Sequence, residues 1–203
     1  MNLHNKNAYP ELCLRLLATL EGSLPAHLSY HSLSHTIDVA NVCDAYIKYY
    51  KIDEPHAKLI RIAAIGHDFG YIISPVDHEE RSIKALSQVL PEILNKEEID
   101  LVNGMIRATK VPQVTENLYE EIVADADLDY LGRTDYDVLS EGLYREFQYY
   151  KVVNNQKEWL DLQIKFLKNH KFHTPFAQEH RKPLKLQKLM ELKVKREALK
   201  CSK

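Results

Sequence analysis

Three short segments concentrate the residue types that could do chemistry. In Tyr30-His31-Ser32-Leu33-Ser34-His35, His31 and His35 are four residues apart. On a helix that spacing puts both imidazoles on one face, which suits two ligands or a ligand and a proton donor, and equally suits capping or partly buried histidines. The second segment, Ala63-Ala64-Ile65-Gly66-His67-Asp68-Phe69-Gly70, sets an adjacent histidine and aspartate at the end of an apolar helix. Ile60, Ile62, Ile65 and Phe69 make it a core helix, and a carboxylate there is costly unless it is paired or holds a metal. The third, Ile122 to Gly132, carries Asp125, Asp127 and Asp129 at alternate positions of another apolar stretch. If one helix runs through it, Asp125 and Asp129 share a face and Asp127 turns inward with Val123 and Tyr130. Asp125 is then expected as a solvated or helix-starting carboxylate.

Helices must position these segments. Six glycines and eight prolines leave few breaks, and the apolar residues recur at three and four positions rather than two, so the expected fold class is all-α. The pattern predicts helices near Tyr9 to Glu21, Ser34 to Tyr50, Pro55 to Phe69, His78 to Leu90, Lys96 to Ala108, Glu116 to Leu131, Tyr136 to Tyr150, Asn155 to Asn169 and Glu179 to Leu199. Ser34, Asp77 and Asn95 are the expected N-caps, and Pro55 fits a first turn beside Glu54. Gly70, Pro91 and Gly132 are the expected stops. The pair Val152-Val153 is too short to found a sheet and is read as a helix junction. Trp159 reads as packing between helices.

The 203 residues fit a single helical domain over 1–203, with a metal-site core at about 30–150 and C-terminal helices at about 155–200 packed on it. An apolar share of 45% with 28% charged residues, and no apolar run near the roughly 18 residues of a membrane span, exclude fibrous, disordered and membrane classes. No basic segment leads into an apolar one at the start, so no secretory signal is expected and the location is read as cytoplasmic. Cys13, Cys43 and Cys201 form no CxxC pair and read as reduced thiols. The formal charge of −2 hides an asymmetry. Between Glu116 and Glu146 ten acids face only Arg133 and Arg145, whereas Glu179 to Lys203 holds nine bases against three acids. The basic tail could attract an anion or nucleic acid. Its bases alternate with Leu184, Leu186, Leu189, Met190, Leu192 and Leu199, so it reads as a solvated amphipathic helix packed on the domain.

Taken in order, His35, then His67-Asp68, then Asp127 resemble the H…HD…D signature of the HD superfamily of metal-dependent phosphohydrolases. The opening Tyr30-His31-Ser32-Leu33-Ser34-His35 is similar to the YHNxxH segment of cyclic-nucleotide phosphodiesterases, and Ala126-Asp127-Leu128 to their ADL segment. His78-Glu79-Glu80-Arg81-Ser82, Ala108-Thr109-Lys110, Asp125 to Leu128 with Leu131-Gly132, and Thr174-Pro175-Phe176-Ala177 resemble a bacterial branch of predicted HD phosphohydrolases. The likeness runs from about Tyr30 to about Leu192. It implies an HD-type helical bundle in which His35, His67, Asp68 and Asp127 ligate a metal between core helices and His31 donates a proton. His78 corresponds to a histidine that some members use for a second metal. Where two-metal members place a further histidine, this chain has Arg107-Ala108-Thr109-Lys110, so one firmly held ion is expected.

Two imidazoles and two carboxylates accept manganese, iron, cobalt, nickel, zinc or magnesium without fixing which. Such an ion activates water and polarises a phosphoryl oxygen, Asp68 would orient that water, and His31 would protonate the departing alkoxide. Glu79 and Glu80 are candidates for a base acting through water, or simply acids favouring the first turn of a helix. Arg81 and Lys110 are candidates for phosphate binding, against pairing with Asp77 and favouring a helix end respectively. Phe69, Tyr71 and Tyr130 either stack on a base or pack. The expected function is metal-dependent hydrolysis of a small phosphate ester of the nucleotide kind. The alternatives are a di-iron HD-type oxygenase and a non-catalytic regulatory module binding nucleotide or RNA. A nucleic-acid partner is not favoured, and a homo-oligomer is left open.

Overall fold

The structure, a computed structural model, describes residues 2–201; Met1, Ser202, Lys203 and the side chains of Lys200 and Cys201, including the thiol expected there, lie outside the described residues. It is all-helical: among the described residues there are ten α-helices, four short 3-10 turns and no strand. Among the described residues, no helix is long and apolar enough to cross a membrane. The chain divides into two compact units, one made of residues 2–26 with His31–Asp127, the other of His27–Tyr30 with the chain from Leu128 onward.

The first unit contains α1 (Glu11–Ser23), α2 (Leu33–Tyr50), α3 (Glu54–Gly66), α4 (His78–Leu86), α5 (Lys96–Ala108) and α6 (Leu118–Asp127). At its centre α3 packs against α1, α2, α5 and α6. Ile60, Ile62, Ala63, Ala64 and Ile65 are wholly buried, and each large aliphatic among them stabilises the fold by roughly 1.5–3 kcal/mol. Asp53 caps α3 by accepting from the His56 amide, with Pro55 in the first turn. Arg61 points from α3 into the interior, where its guanidinium meets Asp44 at 2.8 Å and Glu54 at 2.7 Å.

Several boundaries differ from expectation for local reasons. The cap of α2 is Ser32 rather than Ser34, because the Ser32 side chain accepts from the His35 amide. Asp77 does precede α4, but in the left-handed region, and its carboxylate pairs with Lys110 at 2.8 Å instead of capping. Asn95 forms a capping box with Glu98, and α5 spans the predicted residues. The predicted helix over Pro55 to Phe69 ends at Gly66 and tightens into a 3-10 turn at Phe69–Ile72, and α4 ends at Leu86, before a 3-10 turn that contains Pro91. The helix expected from Glu116 to Leu131 starts at Leu118, where Asn117 accepts from the Tyr119 and Glu120 amides. It ends at Asp127 and gives way to a 3-10 turn at Asp129–Gly132.

The second unit contains that turn, α7 (Tyr136–Tyr149), α8 (Gln156–Asn169), α9 (Pro175–His180) and α10 (Lys182–Cys201). Trp159 of α8 is buried against Tyr144 and Phe147 of α7, as expected. Thr174-Pro175 starts the unpredicted helix α9, since the Thr174 hydroxyl accepts from the Ala177 amide and Pro175 suits a first turn. Gly132 allows close backbone approach, because a Cβ there would lie 2.3 Å from the Arg181 carbonyl oxygen. The acidic and basic segments meet within this unit: Asp129 pairs with Arg181 at 2.7 Å and Asp137 with Lys188 at 2.9 Å. Of the apolar residues read as the packed face of the tail, Leu189 and Leu192 are buried. Leu184, Leu186, Met190 and Leu199 are exposed, a correction to that reading: only a narrow stripe of α10 faces α8.

Candidate metal centre

All the residues of the candidate site belong to the first unit. Ser32 starts α2 so that His35 falls in its first turn, and His67 and Asp68 follow the last residue of α3. Asp127 is the last residue of α6, and His78 the first of α4. The four segments lie far apart in sequence and converge through helix ends, where a side chain can leave the core of its own helix.

His35, His67 and Asp127 form a group able to hold a metal ion, their ligand atoms lying within 4.8 Å of one another. His35 Nε2 is 3.1 Å from Asp127 Oδ1 and 3.4 Å from both His67 Nε2 and Asp68 Oδ2. His67 Nε2 is 3.3 Å from Asp68 Oδ2 and 3.6 Å from Asp127 Oδ1. His67 Nδ1 donates to the Ala64 carbonyl at 2.8 Å, which leaves Nε2 of the neutral ring as a bare lone pair. Acceptor atoms thus converge on one point, and Asp68 Oδ2 is buried there without a hydrogen bond. Such convergence is unfavourable unless a proton or cation sits among the atoms. A divalent ion fits, and the Nδ1–H to carbonyl contact is the support a ligating histidine ordinarily has.

Without an ion, protons do part of that work. Burial disfavours a charged His67, yet Asp68 and Asp127 outweigh it and hold the imidazole well above the ordinary histidine range. Burial likewise pushes both carboxyls up, but His35 and His67 hold Asp127 well below the usual carboxylate range, and His67 and His78 do so for Asp68.

A second layer surrounds this core. His78 Nδ1 donates to the Pro75 carbonyl at 3.3 Å, and its Nε2 faces Asp68 Oδ1 at 3.3 Å and Glu79 Oε1 at 3.5 Å. Burial lowers the pKa of His78, and Asp68 more than reverses this, raising it. Tyr71 lies between two site histidines, stacked on His31 at 4.2 Å between centroids and 4.3 Å from the His78 ring. Ser82 donates to the His67 carbonyl and accepts from the Gly70 amide, both at 2.7 Å. Gly70 is required, since a Cβ would lie 2.1 Å from the His78 carbonyl oxygen. The His67 side chain is 1% exposed, against 15% for Asp127 and 18% for His78, so solvent reaches the cluster on the side of those two residues.

The structure therefore brings His31, His35, His67, Asp68, His78, Glu79 and Asp127 together. It engages the remaining predicted residues elsewhere. Glu80 makes a two-point pair with Arg107, Arg81 Nε donates to the Val76 carbonyl, and Lys110 holds Asp77. Asp125, expected as a solvated or helix-starting carboxylate, is fully buried, and Asp129 is 1% exposed. The alternating pattern breaks because the helix stops at Asp127, so Asp129 leaves its register. Sequence reasoning missed the parts of Tyr71 and Ser82; a tyrosine three residues after His-Asp and a serine behind the His78 segment were the available signals. In comparisons with known proteins, no family model matches the chain and no curated protein matches it.

Proposed function

We propose that the chain is a metal-dependent phosphohydrolase acting on a small phosphate ester of the nucleotide kind. The observation that carries this reading is the convergence of His35, His67, Asp68 and Asp127 on one point that can hold a cation, with His31 and His78 beside it. The order and types of these residues, which resemble the HD superfamily, supply the reaction class. A bound divalent ion would supply Lewis acidity toward a phosphoryl oxygen and bring the pKa of a coordinated water toward about 7.

The chain's own groups divide the remaining work. Asp68, fixed between the histidines, orients the attacking water. His31, held flat against Tyr71, donates a proton to the leaving alkoxide. Glu79, buried beside His78, acts as a base through water. Arg81 and Lys110 hold other partners and have no part in this scheme. Cys13 and Cys43, both buried and without a disulfide, suit a reducing, cytoplasmic setting.

The test is hydrolysis of nucleoside monophosphates and cyclic nucleotides by chain stripped of metal and reloaded with manganese. Metal-dependent turnover is expected, with His31→Ala lowering kcat by about 100-fold or more on alkoxide esters and far less on p-nitrophenyl esters, whose leaving group needs no proton. A folded, metal-loaded chain inert toward every phosphate ester would overturn the reading.

A further inference from the structure

The second unit has a cavity that the metal chemistry does not use. It has a volume of about 460 Å³ and lies among the end of α8, the segment that follows it, α9 and α10. Its apolar wall consists of Leu167, Phe172 and Leu189, all buried, with Leu186 exposed among the lining residues. Lys168, Lys171, Lys182 and Lys185 supply the polar wall together with His170 and Gln178, and no carboxylate lines it. Lys185 is 4% exposed, an unusual burial for an ammonium. It is held by the His170 carbonyl and by His170 Nδ1, over the Phe172 ring.

Arg181, Lys188 and Arg196 of this unit are matched to Asp129, Asp137 and Asp161. Among the described residues, Lys168, Lys171 and Lys182, which line the cavity, form no such ion pair. A cavity lined by lysines and by buried apolar side chains has the chemistry to take a dianion joined to an apolar body, ammonium groups meeting its oxygens and the leucines and Phe172 its hydrocarbon.

The geometry points to a binding site for a small organic phosphate in this cavity, separate from the metal centre. Phenylphosphonate is a suitable probe, because its carbon–phosphorus bond is not a hydrolysable ester. Calorimetric titration of the full chain, freed of metal and of chelator, is expected to give saturable binding to one site, about tenfold tighter than inorganic phosphate because the apolar wall is used. Lys171→Ala or Lys182→Ala should each weaken binding about tenfold, the loss of one charge-assisted contact. Lys171→Arg should retain it, and His35→Ala in the metal centre should leave it unchanged. Unaltered circular dichroism of the lysine variants excludes misfolding as the cause. Absence of saturable binding, or binding that survives both lysine substitutions but is lost in His35→Ala, would overturn the site. So would binding of an RNA oligonucleotide or of phosphatidic-acid vesicles by a chain that ignores phenylphosphonate, since the lysines would then serve an extended polyanion or a membrane surface.

Discussion

Asp127 and Asp129 stand two residues apart, one in each unit, and both are drawn out of water, yet they are neutralised in different ways. Asp129 meets Arg181 at 2.7 Å and Arg133 at 3.6 Å. A guanidinium stays charged at any ordinary pH, so that pairing is permanent. Asp127 meets His35 and His67, whose charge is conditional. His67, held well above the ordinary histidine range, keeps a proton when no ion is present and can give it up to one. A buried acid with fixed partners belongs to the scaffold, whereas one with exchangeable partners can change state, and a reaction requires such a change.

Substituting the two acids has the largest expected effects. Asp127→Asn is expected to lower affinity for manganese or zinc by about 100-fold or more, read by calorimetry. Asp129→Asn should leave metal affinity unchanged but cost about 1–3 kcal/mol in urea denaturation, because it removes the buried carboxylate that Arg181 and Arg133 share. Reversed outcomes would mean that scaffold and site have been assigned to the wrong residues.

Each unit holds a glycine that a side chain would crowd. A methyl at Gly70 would press on the His78 carbonyl and one at Gly132 on the Arg181 carbonyl. Either alanine variant should lose roughly 1–3 kcal/mol, since backbone must move to make room. Only Gly70→Ala should shift the His78 ring resonances in a histidine-selective NMR spectrum, and a Gly132→Ala effect on them would blur the distinction.

The smallest effect is expected from pH. In metal-free chain the raised His67 contributes stability that is fully present below its ordinary value near about 6.5 and is lost as pH rises through the folded-state value. Asp68 and Asp127, held low, contribute above the ordinary carboxylate range and lose that contribution as pH falls through their depressed values. Denaturation midpoints in chelator should therefore fall as pH rises above about 6.5, and added metal should remove the fall, because ligation replaces the proton. An alkaline loss that metal leaves untouched would have to come from elsewhere. Cys13, whose thiol burial pushes up to about 12, is the next candidate, since its contribution begins to fade above the ordinary thiol value.

What the sequence disclosed followed the range of the forces involved. The span of α5 was legible because Asn95 and Glu98 cap it within one turn. The early end of α3 was not, because the turn after it is held by Ser82, far along the chain. His35, His67, Asp68 and Asp127 stood out as polar residues on apolar helices, and the structure gathers them. Lys110 and Arg81 were harder: Asp77 is Arg81's close neighbour in sequence, yet it takes Lys110 from 33 positions away. Tyr71 read as packing sooner than as stacking on a base, and only the fold shows that the rings it packs on are His31 and His78.

The two hydrogen bonds of Ser82 have a further consequence. By tying the His67 carbonyl to the Gly70 amide through one hydroxyl, they couple the middle of α4 to the turn that follows α3. Whatever settles among the imidazoles is thereby felt at a backbone amide that touches none of them. The Gly70 N–H becomes a gauge of occupancy, and its exchange with heavy water would slow as the site fills.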